Sequence, residues 1–115
     1  MSYLDSSVKN RKDGLTYNAL SSGKFKDTGD PDKPLTNEEK ELLMRDILIS
    51  HQLFMEFVAE NRNMPLEKVK GLADGSTMMG EMALSNSLID AIGGEYEAKE
   101  WLGDQLQEDI NICDY

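Results

Sequence analysis

The sequence predicts a mostly helical α/β piece: one long helix, three shorter ones and two or three short strands. Three observations carry that expectation. Thr36-Asn37-Glu38-Glu39 is a capping box, and an apolar pattern of helical period follows it through residues 42–58. Turn formers at Asp74-Gly75, at Gly93-Gly94 and throughout residues 21–34 divide the rest into short lengths. The candidate strands, at 15–20, 76–78 and 88–90, are brief.

Residues 1–13 are polar without an apolar period and are expected as a flexible lead-in. Leu15-Thr16-Tyr17-Asn18-Ala19-Leu20 alternates apolar and polar residues after Gly14, which is a strand pattern. Residues 21–34 read as a loop. Lys26 lies in it just past the strand end, where rigid scaffolds often present catalytic groups.

In the long helix the Thr36 hydroxyl can accept the N–H three residues on, and Glu39 can return the bond. Glu38, Glu39 and Glu41 suit its positive end. Leu43, Ile47, Ser50, Phe54, Phe57 and Val58 share one stripe, opposite Glu38, Arg45, Gln52 and Glu56. Leu42, Ile49 and Leu53 widen it on one side, Met44, Leu48 and Met55 on the other. So broad an apolar face is expected to pack on another domain or subunit. His51, on the flank, reads as a packing residue, since no second metal-type residue stands four positions away.

Pro65 suits the first turn of a helix to about Ala73, with Leu66, Val69 and Leu72 buried. A short helical segment is expected at 81–86. A last helix, about Glu95 to Leu106, is expected to bury Ala98, Trp101 and Leu102, with Trp101 as a core or interface anchor. Residues 108–115 form an acidic tail expected to fray.

A formal charge of −10 argues against nucleic acid or an anionic bilayer as partner, since both call for clustered Lys and Arg. No apolar run approaches the ~20 residues of a membrane span. The N-terminus has no signal-peptide core, so the sequence itself assigns no compartment. One cysteine, Cys113, excludes an internal disulfide and has no visible activating neighbour. Paired His or Cys ligands, phosphate loops and a GxSxG elbow are absent, so no cofactor or metal is expected. Asp27-Thr28-Gly29-Asp30-Pro31-Asp32 lacks the spacing and closing Glu of a calcium loop.

Several short motifs nevertheless occur in a telling order. Gly23-Lys24-Phe25-Lys26-Asp27 follows the first strand, and a Pro-containing linker leads into the helix over residues 31–39. Val58, Ala59 and Arg62 mark the helix end. Ala73-Asp74-Gly75, Gly80 with Ala83, Leu88-Ile89-Asp90 and Gly93-Gly94 then follow. In this order, over about residues 14–102, the chain resembles the C-terminal part of the signal peptide peptidase A (SppA, protease IV) family of serine peptidases. Ser87 departs from the resemblance, because the family usually has Gly there.

The resemblance implies a ClpP/crotonase-like α/β fold, of which residues 14–107 would be a C-terminal part. It implies a Ser–Lys dyad with Lys26 as general base. A lysine serves as a base only as the neutral amine, so its site must disfavour the ammonium. Lys24 is the nearest competitor and is expected to be exposed, and Asp27 is an ion-pair partner or a loop polar residue. Ser6, Ser7, Ser21, Ser22, Ser76, Ser85 and Ser87 all lack the glycine-rich strand-to-helix setting the family gives its nucleophile. The serine is therefore expected on a segment of the parent enzyme or a neighbouring subunit. The family further implies a homo-oligomer, and a peptide substrate such as a signal peptide or another apolar peptide. The alternative is a non-catalytic assembly or regulatory fragment of the same fold.

Overall fold

The computed structural model of the chain describes residues 2–107. The acidic tail at 108–115, with Cys113, lies outside the described residues. The chain divides into two compact units, Met1–Val58 and Ala59–Tyr115. The described helices are α1 (Ser7–Lys12), α2 (Asn37–Asn61), α3 (Leu66–Leu72), α4 (Gly80–Ser85) and α5 (Glu95–Leu106). No strand occurs among the described residues: 15–20, 76–78 and 88–90, expected as strands, are irregular. A strand needs a neighbour to take its backbone hydrogen bonds, and no described segment pairs with these three.

In the first unit, α1 occupies part of the predicted lead-in. Polar bonds tie it to the later loop: the Ser6 N–H, at its N-terminal flank, donates to the Pro31 carbonyl at 2.7 Å, and Asn10 Nδ2, within the helix, to Asp32 at 2.8 Å. The helix closes in a Schellman motif. The Leu15 N–H reaches the Asn10 carbonyl (2.9 Å), the Gly14 N–H reaches that of Arg11 (3.2 Å), and Gly14 takes φ +77°.

α2 opens as the capping box predicts. The Glu39 N–H donates to Thr36 Oγ1 at 3.2 Å, and Glu39 Oε2 accepts the Thr36 N–H at 2.8 Å. Along the helix Met55 is buried and Leu43, Ile47 and Val58 are half-buried. Leu53, Phe54 and Phe57 are 60–67% exposed. The aromatic part of the predicted stripe is thus uncovered.

In the second unit the chain leaves α2 through another Schellman motif. The Met64 N–H reaches the Ala59 carbonyl (2.9 Å), the Asn63 N–H that of Glu60 (3.2 Å), and Asn63 takes φ +48°. α3 follows Pro65 and buries Val69, with Leu66 and Leu72 half-buried beside it, as its spacing predicts. At the Ala-Asp-Gly turn Asp74 accepts the Ser76 N–H at 2.8 Å.

α4 ends in a third Schellman motif, with Leu88 N–H to Ala83 (2.9 Å), Ser87 N–H to Leu84 (2.9 Å) and Ser87 at φ +64°. α5 begins where the Gly94 N–H donates to Glu97 Oε2 at 2.7 Å. Its expected burial is corrected: Trp101 is 61% exposed, Ala98 is exposed and Leu102 is half-buried. These residues and Ile92 line an open cavity of about 680 Å³. A helix buries its apolar face only where a neighbour covers it, and the described residues of this unit leave that side of α5 open.

Candidate active-site segment

Residues 23–30 form a run of turns. The Lys26 N–H donates to the Gly23 carbonyl (3.2 Å), the Thr28 N–H to Phe25 (3.3 Å) and the Asp30 N–H to Asp27 (3.1 Å). Lys26 itself is exposed. With Tyr17, Ala19, Leu20, Ser21 and Ser22 it lines an open cavity of about 440 Å³. Among the described residues its amine makes no hydrogen bond or ion pair. Lys24, two residues earlier, pairs with Glu38 at 2.5 Å and lies 5.4 Å from the Phe25 ring centroid. Lys24 is exposed, as expected, but engaged.

Two serines line the cavity beside Lys26. The Ser21 hydroxyl donates to the Gly23 carbonyl at 3.1 Å, the same carbonyl that accepts the Lys26 N–H. No serine hydroxyl meets the Lys26 amine among the described residues. Asp27, adjacent in sequence, turns its carboxylate elsewhere: Oδ1 lies 3.4 Å from Lys33 Nζ, and Oδ2 accepts the Tyr17 hydroxyl at 3.2 Å. That hydroxyl also stands 3.3 Å from Asp30 Oδ2. Partial desolvation, then the carboxylates of Asp27 and Asp30, raise the Tyr17 phenol above its ordinary range.

These bonds converge on Glu39, which is only 2% exposed. Its Oε1 accepts from Lys33 Nζ and from the Thr28 hydroxyl at 3.4 Å, while Oε2 serves the cap. The Lys33 ammonium, followed by the Thr36 N–H, holds the Glu39 carboxyl at about 2, below its usual 4.5. Glu39 in turn raises Lys33. Glu39 is legible in the sequence as a capping residue. Its partnership with Lys33 has no local signal, since it depends on the path of the intervening linker.

The second unit has its own charged join. Arg62 forks onto Asp90, with Nη1–Oδ2 at 2.9 Å and Nη2–Oδ1 at 2.7 Å, and its Nε donates to the Ser87 carbonyl at 2.9 Å. The pairing lowers Asp90 and raises Arg62. Three positions noted separately in the sequence, the Arg of the helix end, the Asp after Leu88-Ile89 and Ser87, are thus one construction. Ser87 adopts the left-handed conformation that the usual glycine would take there.

Comparison with known proteins bears on both units. Residues 2–109 match Peptidase family S49. The chain is 38% identical over 90 residues to a Synechocystis protein provisionally named a protease, covering 78% of this chain and 32% of that protein. It is 37% identical over 84 residues to the chloroplastic serine protease SPPA of Arabidopsis thaliana, covering 72% and 12%. It is 31% identical over 103 residues to an Enterococcus faecium protein provisionally named signal peptide peptidase SppA, covering 89% and 30%. The chain thus spans about a third or less of the length of these curated relatives. The matched family has a ClpP-like fold, to which the described residues contribute helices. With a match that runs through nearly all of it, and relatives that carry the SppA name, the chain belongs to peptidase family S49.

Proposed function

We propose that this chain carries the general base, Lys26, of a serine endopeptidase. A serine on another segment of the complete enzyme, or on a neighbouring subunit, supplies the nucleophile. The contrast between two lysines on one turn supports this role most directly. Lys24 is taken up by Glu38 and Phe25, whereas the Lys26 amine is unpartnered among the described residues and lines a groove.

In the proposed step the neutral Lys26 amine accepts the serine proton as the serine oxygen attacks the scissile carbonyl. The ammonium so formed returns the proton to the departing amine, and water then hydrolyses the acyl-enzyme. Burial against apolar surface favours the neutral amine. Lys26 is exposed here, so that burial is left to the rest of the enzyme and to bound substrate.

Signal peptides or other extended apolar peptides are the proposed substrates. Tyr17, Ala19 and Leu20 line the Lys26 groove, and such a segment suits strand addition with apolar side-chain contacts. In the complete ClpP-like domain residues 15–20, 76–78 and 88–90 take up their strand pairing. The exposed apolar face of α2 is the proposed contact with the Ser-bearing segment and between like subunits. That same face favours the second reading, an assembly or regulatory fragment without activity.

Mixing the chain with the Ser-bearing segment of a family member and assaying an apolar peptide separates the two. Activity is expected, and Lys26→Ala should lose it by about 10²- to 10⁴-fold, while Lys24→Ala stays within a few-fold. Equal activity in the two variants removes Lys26 from the mechanism. A stable but inactive mixture establishes the assembly fragment.

A further inference from the structure

We infer that Glu39 is a positioning residue for Lys26: together with Lys33 it pins the lysine-bearing turn to the start of α2. The inference rests on Lys26 being the general base, and goes on to name what places it. A capping box needs only one carboxylate oxygen of its glutamate, and Glu39 Oε2 meets that need. Surface caps are common, whereas a carboxylate that is 2% exposed must have its remaining lone pairs satisfied.

The second oxygen, Oε1, is directed at the active-site segment. It accepts from the Thr28 hydroxyl and from Lys33, whose ammonium also reaches Asp27 Oδ1 at 3.4 Å. The Tyr17 hydroxyl shares its one proton between Asp27 Oδ2 and Asp30 Oδ2, and Asp30 Oδ1 accepts the Asp32 N–H at 2.9 Å. The side chains at 27, 28 and 30 are therefore all fixed, and that of Lys26 is not. The turn is gripped through the residues that follow Lys26, which leaves its amine free over the groove. A general base must come within about 3 Å of the proton it takes, and misplacement by about 1 Å can cost of order 10²-fold in rate.

Glu39→Gln tests this cleanly, because glutamine still caps the helix but no longer holds Lys33 by charge. In the reconstituted enzyme kcat is expected to fall by about 10- to 100-fold, with KM within about twofold. Lys33→Met should behave likewise. Lys33→Arg, which can still reach Glu39, should recover much of the loss. In the full 115-residue chain, hydrogen exchange at the Lys26, Thr28 and Asp30 amides should quicken in Glu39→Gln and in Lys33→Met. If Glu39→Gln does not fold, the Lys33 pair decides the question.

An inactive Lys26→Ala beside a fully active Glu39→Gln or Lys33→Met overturns the inference and leaves the peptidase proposal standing. An active Lys26→Ala overturns the peptidase proposal itself, and with it the positioning role.

Discussion

Lys33 with Glu39 in the first unit, and Arg62 with Asp90 in the second, each bridge a helix end to a neighbouring loop. They differ in their access to water. The Lys33 and Glu39 side chains are 16% and 3% exposed, whereas those of Arg62 and Asp90 are 27% and 86% exposed. An ion pair open to solvent is screened, and the fork adds direction more than stability. A pair withdrawn from water behaves otherwise. Assembling it carries a desolvation cost, and removing one partner strands the other charge. The first unit is therefore brittle at Glu39, and the second should tolerate loss of its fork. What sustains the second unit is apolar burial, centred on Val69 at 2% exposure.

The comparison breaks most readily at Glu39. Glu39→Ala removes the carboxylate half of the capping box and leaves Lys33 with only Asp27 nearby, so thermal unfolding followed by circular dichroism should move down by roughly 10 °C or more. Asp90→Ala should move it by less than about 3 °C. Equal shifts would mean that burial does not separate the two pairs. Next in size is Val69→Ala, which removes packed apolar surface and should cost about 2 kcal/mol in urea unfolding. A loss at Val69 smaller than that at Asp90 would show that charge, not packing, holds the second unit.

A smaller effect is the response to acid. The Glu39 carboxyl sits at about 2 in the folded chain against an ordinary 4.5. Its ionised form is favoured by folding, so its contribution is complete above about pH 5 and fades as pH falls toward 2. The groups facing that carboxylate are the Lys33 ammonium, the Thr28 hydroxyl and the Thr36 N–H, with Asp27 behind Lys33. Unfolding free energy measured from pH 6 down to pH 2 should therefore decline less steeply in Glu39→Gln than in the parent. Asp90, also lowered, should contribute a weaker slope because water screens it.

How much of this could be read in advance follows the range of each interaction. The start of α2 was legible because Thr36 and Glu39 are three residues apart and act on each other's backbone. Val69 was legible because helical period alone places it with Leu66 and Leu72. α1 was not legible, since its order comes from Ser6 meeting Pro31 and Asn10 meeting Asp32 across the loop. The expected strands do not form among the described residues: 15–20 has the alternation of a strand, but alternation supplies no partner for its backbone. For Trp101 only the core half of the expectation is corrected, as an apolar face does not bring its own cover. Lys26 could be singled out only by its place in a series of family motifs. One lysine among many carries no mark of a base, and the Glu39 contacts to Thr28 and Lys33 depend on the path of the linker, not on any local pattern.

The two units also permit a mirrored test at their helix ends. α1 closes on Gly14 at φ +77° and α4 on Ser87 at φ +64°, within the same hydrogen-bonding motif. A side chain in that conformation costs about 1–2 kcal/mol, and the greater freedom of unfolded glycine returns part of the difference. Ser87→Gly should therefore stabilise the second unit by about 0.5–1 kcal/mol, and it keeps the carbonyl that Arg62 holds. Gly14→Ser should cost the first unit a similar amount. A Cβ at Gly14 would meet nothing within 4 Å, so backbone conformation alone sets that cost. Both are read as shifts in urea midpoint at unchanged slope. Loss of stability in Ser87→Gly would mean that the serine side chain holds something its backbone angle does not explain.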